Sequence, residues 1–284
     1  MKDNGHNNKG IFMWGILAAS LLFLSINWVL SLFLLLSSLS IALYHGVLTL
    51  PSAAFLLLTL MVTLLLQKYR RRKWPATALE LLLVMAAIAL FLHLVPGFNN
   101  LNVLKNVKTG PLSAPFSMYY NLDKALIPFI LLACLPTLFV TKKHPSVSRL
   151  AWLGLIVSIP ALLLLAVALG GLKIEMHTPA WMGSFVVANV FFVCLAEEAL
   201  FRGYLQQRLS QWLGNYPALL LTALLFGAAH IAGGPLLMVF AALAGVIYGL
   251  AWLWSGRLWV AVGFHFALNL MHLLFFTYPL YLPY

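Results

Sequence analysis

Acidic side chains are almost missing from this sequence. Its 284 residues include six Asp and Glu against 17 Lys and Arg, and charged residues make up only 8% of the chain. A soluble domain carries about 25% charged residues. With 63% hydrophobic residues, the composition is that of a membrane protein. Cysteine is scarce as well. Cys134 and Cys194 both fall inside apolar runs and form no CxxC, which argues against a disulfide framework and against a thiolate metal site. No HExxH occurs, which argues against the usual zincin or site-2 arrangement. Aspartyl cleavage within a membrane needs two embedded aspartates, and the chain has only Asp3 and Asp123, neither in a span. A rhomboid-like serine needs a GxSx turn paired with a helix histidine, and Gly183-Ser184 does not fit that spacing. The net charge of +11 does not point to nucleic acid, because the basic residues lie between apolar spans. Their densest cluster, "KYRRRK" from Lys68 to Lys73, is of the kind that sets topology and touches anionic lipid.

What the chain does have is long apolar runs. Each membrane span needs about 20 apolar residues. From residue 47 onward eight candidates appear, at 47–67, 77–95, 124–141, 150–171, 181–200, 216–232, 236–254 and 258–276. The opening run, 11–45, is too long for one helix and short for two, with Ser25-Ile26-Asn27 or Ser37-Ser38 as the break. The apolar stretch is also too long for a cleaved signal peptide, so it reads as a retained span. The expected fold is therefore an all-α polytopic bundle of nine or ten transmembrane helices. Placing 68–76 in the cytoplasm puts 141–149, 202–215 and 255–257 there too, and that side then holds eleven of the 17 Lys and Arg residues. Lys2 and Lys9 sit at an N-terminus whose side is undecided. The segment from Pro96 to Asp123, rich in Gly, Pro and Asn, reads as a surface loop. His45 and His93, near span ends, read as structural or interfacial. Residues 1–149 form an N-terminal transmembrane bundle of unassigned role, and the chemistry belongs to 150–284.

Three polar sets lie inside the apolar runs of that second half: Glu197-Glu198 with Arg202, then His230, then His265 with Asn269. An acid near the bilayer centre costs roughly 2.5–3.5 kcal/mol on insertion scales, so two adjacent glutamates need a compensating reason. If the 181–200 helix continues to a turn at Gly214–Pro217, Glu197 lies ~25 Å before that turn and His230 ~22 Å after it. From the turn at 255–257, His265 lies ~12 Å along its helix and Asn269 ~18 Å. All three sets can then share one cavity, provided 202–213 is a helical extension. Glu198 and Arg202, at i,i+4, are spaced to pair on one face and lower the cost of burial. Glu197 points about 100° away from that pair, and a desolvated carboxylate so placed suits a general base. His265 and Asn269, also at i,i+4, can donate to a developing oxyanion or simply bond between helices. His272 reads as structural. Gly245 and Gly249 allow close helix packing, within the bundle or between subunits.

"EEALFR" (Glu197, Glu198, Arg202), "FGAAH" (Phe226, His230) and "HFALN" (His265, Asn269) resemble, in order, the three motifs of the CPBP family. That family includes the CAAX prenyl endopeptidases of the Rce1 type and bacterial bacteriocin-processing and self-immunity proteins. The flanking "FRGYLQ" and "AGVIYGLAWLWSGRLWVAVGFH" fit as well, and the resemblance covers about 180–275.

The resemblance implies a glutamate-type intramembrane protease with a conical cavity in the C-terminal half, opening toward the cytoplasm. By carry-over, Glu197 and His230 activate a water, while His265 and Asn269 stabilise the oxyanion. Glu198, Arg202 and Phe226 support them. A metal-free site is the preferred reading. Zinc on Glu197, His230 and His265 is the alternative. The expected substrate is a peptide or membrane protein, the expected partner the lipid bilayer, and the expected location a bacterial plasma membrane. Oligomeric state is open. Two other functions compete: a non-catalytic immunity or partner-binding protein, and a small transporter. The sequence shows no internal repeat or matched pair of broken helices in support of transport.

Overall fold

A computed structural model describes residues 4–142 and 144–282, with side chains from residue 10. Lys2, Asp3 and Lys143 lie outside the described residues, as does the side chain of Lys9. The chain is mostly helical. The helices are α1 (Asn4–Phe23), α2 (Trp28–Tyr44), α3 (Leu50–Tyr69), α4 (Lys73–Phe91), α5 (Leu122–Ala125), α6 (Ile127–Cys134), α7 (Arg149–Ala168), α8 (Met182–Leu213), α9 (Asn215–Ala228), α10 (Pro235–Ser255) and α11 (Leu258–Phe275). Among the described residues six of them, α3, α4, α7, α8, α10 and α11, are long and apolar enough to cross a membrane. Shorter apolar helices span Gly10–Phe23, Trp28–Tyr44 and Asn215–Ala228. Leucines on α3 and α4 such as Leu57, Leu58, Leu64 and Leu81 are exposed, as lipid-facing side chains are. This is an integral membrane protein.

Three expectations need correction. The 124–141 run is not one span: α6 stops at Cys134 because Pro136 forces Leu135 into extended backbone (φ −134°, ψ 99°). The Pro96–Asp123 segment is not irregular, since β1 (Leu101–Val107) and β2 (Phe116–Tyr120) pair as a two-stranded sheet. Met118 and Tyr120 are buried while Ser117 and Tyr119 are exposed, the alternation of a half-buried strand. The 216–232 run ends at Ala228, so His230 lies in the turn beyond the helix and not inside it.

Two compact units are built from interleaved segments. The first comprises Met1–Asn102, Tyr119–Pro136 and Phe191–Ala196. Its opening run breaks at Asn27, whose side chain caps α2 by accepting from the Leu30 amide at 3.1 Å. Ser37 stays helical and bonds back to Phe33 O at 2.9 Å. Ser20 and Ser31 each donate to the other's backbone carbonyl, at 2.7 and 2.6 Å, so small polar side chains join α1 to α2 without burying an orphaned group. Trp14, Tyr120 and Phe192 form a ring cluster with centroids 5.3–5.5 Å apart. His93 has a structural role, one of the two expected of it. Its Nδ1 bonds the buried Asp123 carboxylate, which also accepts from Asn100 at 3.0 Å, clasping the end of α4 to the start of α5.

The second unit comprises Val103–Met118, Thr137–Val190 and Glu197–Tyr284. Trp152 of α7 packs on Trp254 and Phe264, with centroids 5.7 and 6.1 Å away. Backbone bonds Ala114 N→Leu280 O and Leu282 N→Leu112 O tie the strand connection to the C-terminal tail. Glu175 accepts from the Leu112 amide at 2.8 Å and from the Ser113 hydroxyl, and contacts His177 Nε2 at 2.8 Å. His177 Nδ1 in turn meets the Leu273 carbonyl at 2.6 Å, near the end of α11.

Candidate active site

Helix α8 carries the first motif, and it runs unbroken past Arg202 to Leu213, meeting the condition for bringing the polar sets together. Its backbone is unusual. Ala188–Cys194 and Ala199–Gln206 are π-helical, with one α-helical turn, Leu195–Glu198, between them. Such stretches are rare and gather at functional sites. The glutamates therefore sit on the α-helical turn between two wider ones. α8 is also the most buried of the candidate spans, with 67% of its most apolar window covered against 11% for α3. A buried helix offers no water to its charged side chains, so each must find a partner in the protein.

Glu198 and Arg202 are both fully buried, and Arg202 Nη1 donates to Glu198 Oε1 at 3.2 Å. The guanidinium lies 4.3 Å from the Phe226 ring and 5.3 Å from that of Tyr248. Two parallel bonds then fasten α8 to α10: Arg202 Nη2 donates to Gly245 O and Gln206 Nε2 to Gly249 O, both at 3.2 Å. Both pairs are four residues apart, so the helices match one helical repeat. The small residues make this approach feasible. A Cβ on Gly245 would lie 3.0 Å from Arg202 Nη2, and one on Gly249 would lie 2.8 Å from Leu219 Cγ. This Gly245/Gly249 face is used within the bundle.

His265, on α11, reaches the same place from the third motif. Its Nδ1 lies 2.7 Å from Glu198 Oε1 and its Nε2 lies 3.9 Å from Glu197 Oε2. Sequence spacing had assigned Glu198 to Arg202 alone, and its bond to His265 could not be read from one helix's periodicity. Tyr248 stacks on the His265 ring at 4.4 Å and 15°. Phe226 stands edge-on to both histidines, 4.8 Å from His230 and 6.0 Å from His265. His230 uses Nδ1 to donate to the Phe226 carbonyl at 2.8 Å. Asn269 donates from Nδ2 to Asn189 Oδ1 at 2.9 Å. Asn189 and Tyr248 were both missed from sequence. A lone Asn eight residues before Glu197 in an apolar run was the available signal. His272 Nε2 donates to Thr277 O at 3.0 Å, a structural bond at the end of α11.

Residues 179–271, about a third of the chain, match the family model described as type II CAAX prenyl endopeptidase Rce1-like. This segment is similar to the Rce1-like family. No curated protein and no solved structure matches the chain. The matched segment starts just before α8 and ends within α11, so it takes in Glu197, Glu198, Arg202, Phe226, His230, His265 and Asn269. Among the described residues no group of three or more His, Cys, Asp or Glu side chains is placed to hold a metal ion.

Proposed function

We propose that this protein is an intramembrane endopeptidase that hydrolyses peptide bonds of membrane-associated peptides or proteins. Glu197 and His230 activate the water, and His265 and Asn269 receive the oxyanion. The observation that carries this reading is the position of His265 between two glutamates, 2.7 Å from Glu198 and 3.9 Å from Glu197. A carboxylate on Nδ1 holds that nitrogen as a donor and turns Nε2 toward Glu197. With both ring nitrogens protonated, Glu197, Glu198, Arg202 and His265 sum to zero charge, which favours burial. Nε2–H is then the donor an oxyanion requires.

His230 is set for the opposite role. A carbonyl can only accept, so the bond to Phe226 O keeps the proton on Nδ1 and leaves the Nε2 lone pair to take one from water. The water oxygen bonds the scissile carbon as its proton passes to Glu197 or His230. The carbonyl electrons move to oxygen and are held by His265 and Asn269. Collapse of that oxyanion breaks the C–N bond, and the same proton goes to the leaving amine. No metal enters this scheme. The site opens toward the cytoplasm through a cavity in the C-terminal half, in a bacterial plasma membrane.

The test is cleavage of an internally quenched peptide library, including peptides with an S-prenylated cysteine, by purified protein in liposomes. Loss of a general base costs about 10²–10⁴-fold, so Glu197→Gln should lose cleavage by about a hundredfold or more at normal membrane abundance. Chelators should leave the wild-type rate unchanged. Equal cleavage by Glu197→Gln and wild type sinks the assignment, while absence of cleavage by either favours an immunity or transport role.

A further inference from the structure

Helix α10 contributes no residue to the three motifs, yet it delivers Tyr248 to their centre. Tyr248 lies between Gly245 and Gly249, whose carbonyls accept from Arg202 and Gln206, and it is buried. Its ring stacks on that of His265, with centroids 4.4 Å apart and planes 15° from parallel. The Arg202 guanidinium lies over the same ring, 5.3 Å from its centroid. We propose that Tyr248 is a positioning residue that holds the plane of the His265 ring for the reaction. The inference rests on the reading of His265 as an oxyanion donor.

The need for such a residue arises at Glu198. Arg202 Nη1 and His265 Nδ1 bond the same oxygen, Glu198 Oε1, at 3.2 and 2.7 Å. Hydrogen bonds to an imidazole lie in the plane of its ring, so they resist sliding within that plane better than tilt about their own axis. The torsion that joins the ring to its side chain has broad wells and sets the tilt only loosely. Tilt moves Nε2, which stands 3.9 Å from Glu197 Oε2. A second ring laid flat against the first opposes it, because tilting drives an edge into the neighbouring face. The same face suits the charges. With His265 protonated at both nitrogens, two cationic groups meet at one carboxylate oxygen, and the electron-rich face of Tyr248 toward both offsets their repulsion. Tyr248 therefore acts through His265. A tyrosine that merely filled the core would affect abundance and unfolding, and would leave turnover per folded molecule unchanged.

Tyr248 also acts electrostatically on Arg202, so hydroxyl and ring face are separated by substitution. Tyr248→Phe keeps the face and gives up the hydroxyl, whereas Tyr248→Leu gives up both. The assay uses whichever library peptide the wild-type protein cleaves best, with kcat and KM measured per folded molecule in liposomes. Misplacing a reacting group by ~1 Å costs about 10²-fold. A tilt of His265 about its Nδ1 bond moves Nε2 by less, so Tyr248→Leu should lose about tenfold in kcat, with KM within about twofold. Tyr248→Phe should keep at least about three times the kcat of Tyr248→Leu. The stack also has a signature independent of cleavage. The ring current of Tyr248 moves the His265 ring protons upfield in NMR spectra of histidine-labelled protein, an offset that Phe should keep and Leu should lose. If Tyr248→Leu does not fold, Tyr248→Met takes its place with the same expectations. Wild-type kcat in the Leu or Met variant overturns the proposal, as does a Phe variant no better than either, or an offset that survives loss of the ring. Glu197→Gln run alongside separates two failures. If it is inactive while Tyr248→Leu keeps full kcat, only the role of Tyr248 falls. If Glu197→Gln is fully active, or wild type cleaves no peptide, the protease reading falls and this inference with it.

Discussion

Arg202→Leu is the substitution whose cost can be worked most directly from the structure. The guanidinium is fully buried, donates to Glu198 and to Gly245 O, and lies over the Phe226 ring. Removing one partner of a buried ion pair costs about 3–5 kcal/mol, because the other charge is left in a low dielectric. Here the pair is a single bond at 3.2 Å, and Glu198 keeps its bond to His265 Nδ1 at 2.7 Å when Arg202 is gone. That places the pair at the lower end, about 3 kcal/mol. Loss of a desolvated cation–π contact adds about 1–2 kcal/mol, and burial of the new leucine returns about 1.5–3 kcal/mol. The net expectation is a loss of about 1–3.5 kcal/mol, read by equilibrium unfolding in mixed micelles. Glu198→Gln should cost a similar amount by stranding Arg202. The double variant strands neither charge and should cost clearly less than the sum, with a coupling of about 2 kcal/mol. A loss below about 1 kcal/mol in Arg202→Leu, or a double variant equal to the sum, would refute the view that these charges hold each other in place.

The glycines give a paired test. A Cβ on Gly245 would crowd Arg202 Nη2 at 3.0 Å and Ala223 Cα at 3.1 Å, whereas one on Gly154 of α7 meets nothing within 4 Å. Gly245→Ala should destabilise by about 1–3 kcal/mol, and Gly154→Ala should be neutral or stabilising by up to about 1 kcal/mol; equal effects in unfolding assays would contradict the packing. At the clasp beside β1 and β2, burial pushes the Glu175 carboxyl up, but hydrogen bonds from Ser113, His177 and Leu112 outweigh it and hold it below its ordinary value of 4.5. A depressed folded value means the clasp is fully present above the ordinary value and is lost as pH falls through the lower one. Protection of the Leu112 amide from hydrogen exchange should therefore be full above pH 4.5 and be lost only as pH is taken below it, and protection unchanged throughout an acid titration would argue against the clasp.

Much of the fold was legible because lipid imposes a simple code. Long apolar runs mark α3, α4, α7, α10 and α11 to within about five residues, and the Asn27 cap was visible as one of two candidate breaks. The errors have identifiable causes. Gly, Pro and Asn in 96–123 masked the alternation of Met118 and Tyr120, and the apolar run 124–141 hid the stop at Pro136. Of the site, the sequence carried the residue types and the Glu198–Arg202 pair, since i,i+4 spacing is local. It did not carry the bonds Glu198–His265 and Asn189–Asn269, which depend on register between helices. Nor did it carry the π-helical backbone on either side of the glutamates.

The measurement that most directly tests the central claim is a comparison of peptides released from membranes containing wild-type protein and from membranes with an equal amount of Glu197→Gln. The account predicts a set of peptides with new termini in the wild-type sample that is absent from the variant. The same peptides in both samples would contradict it.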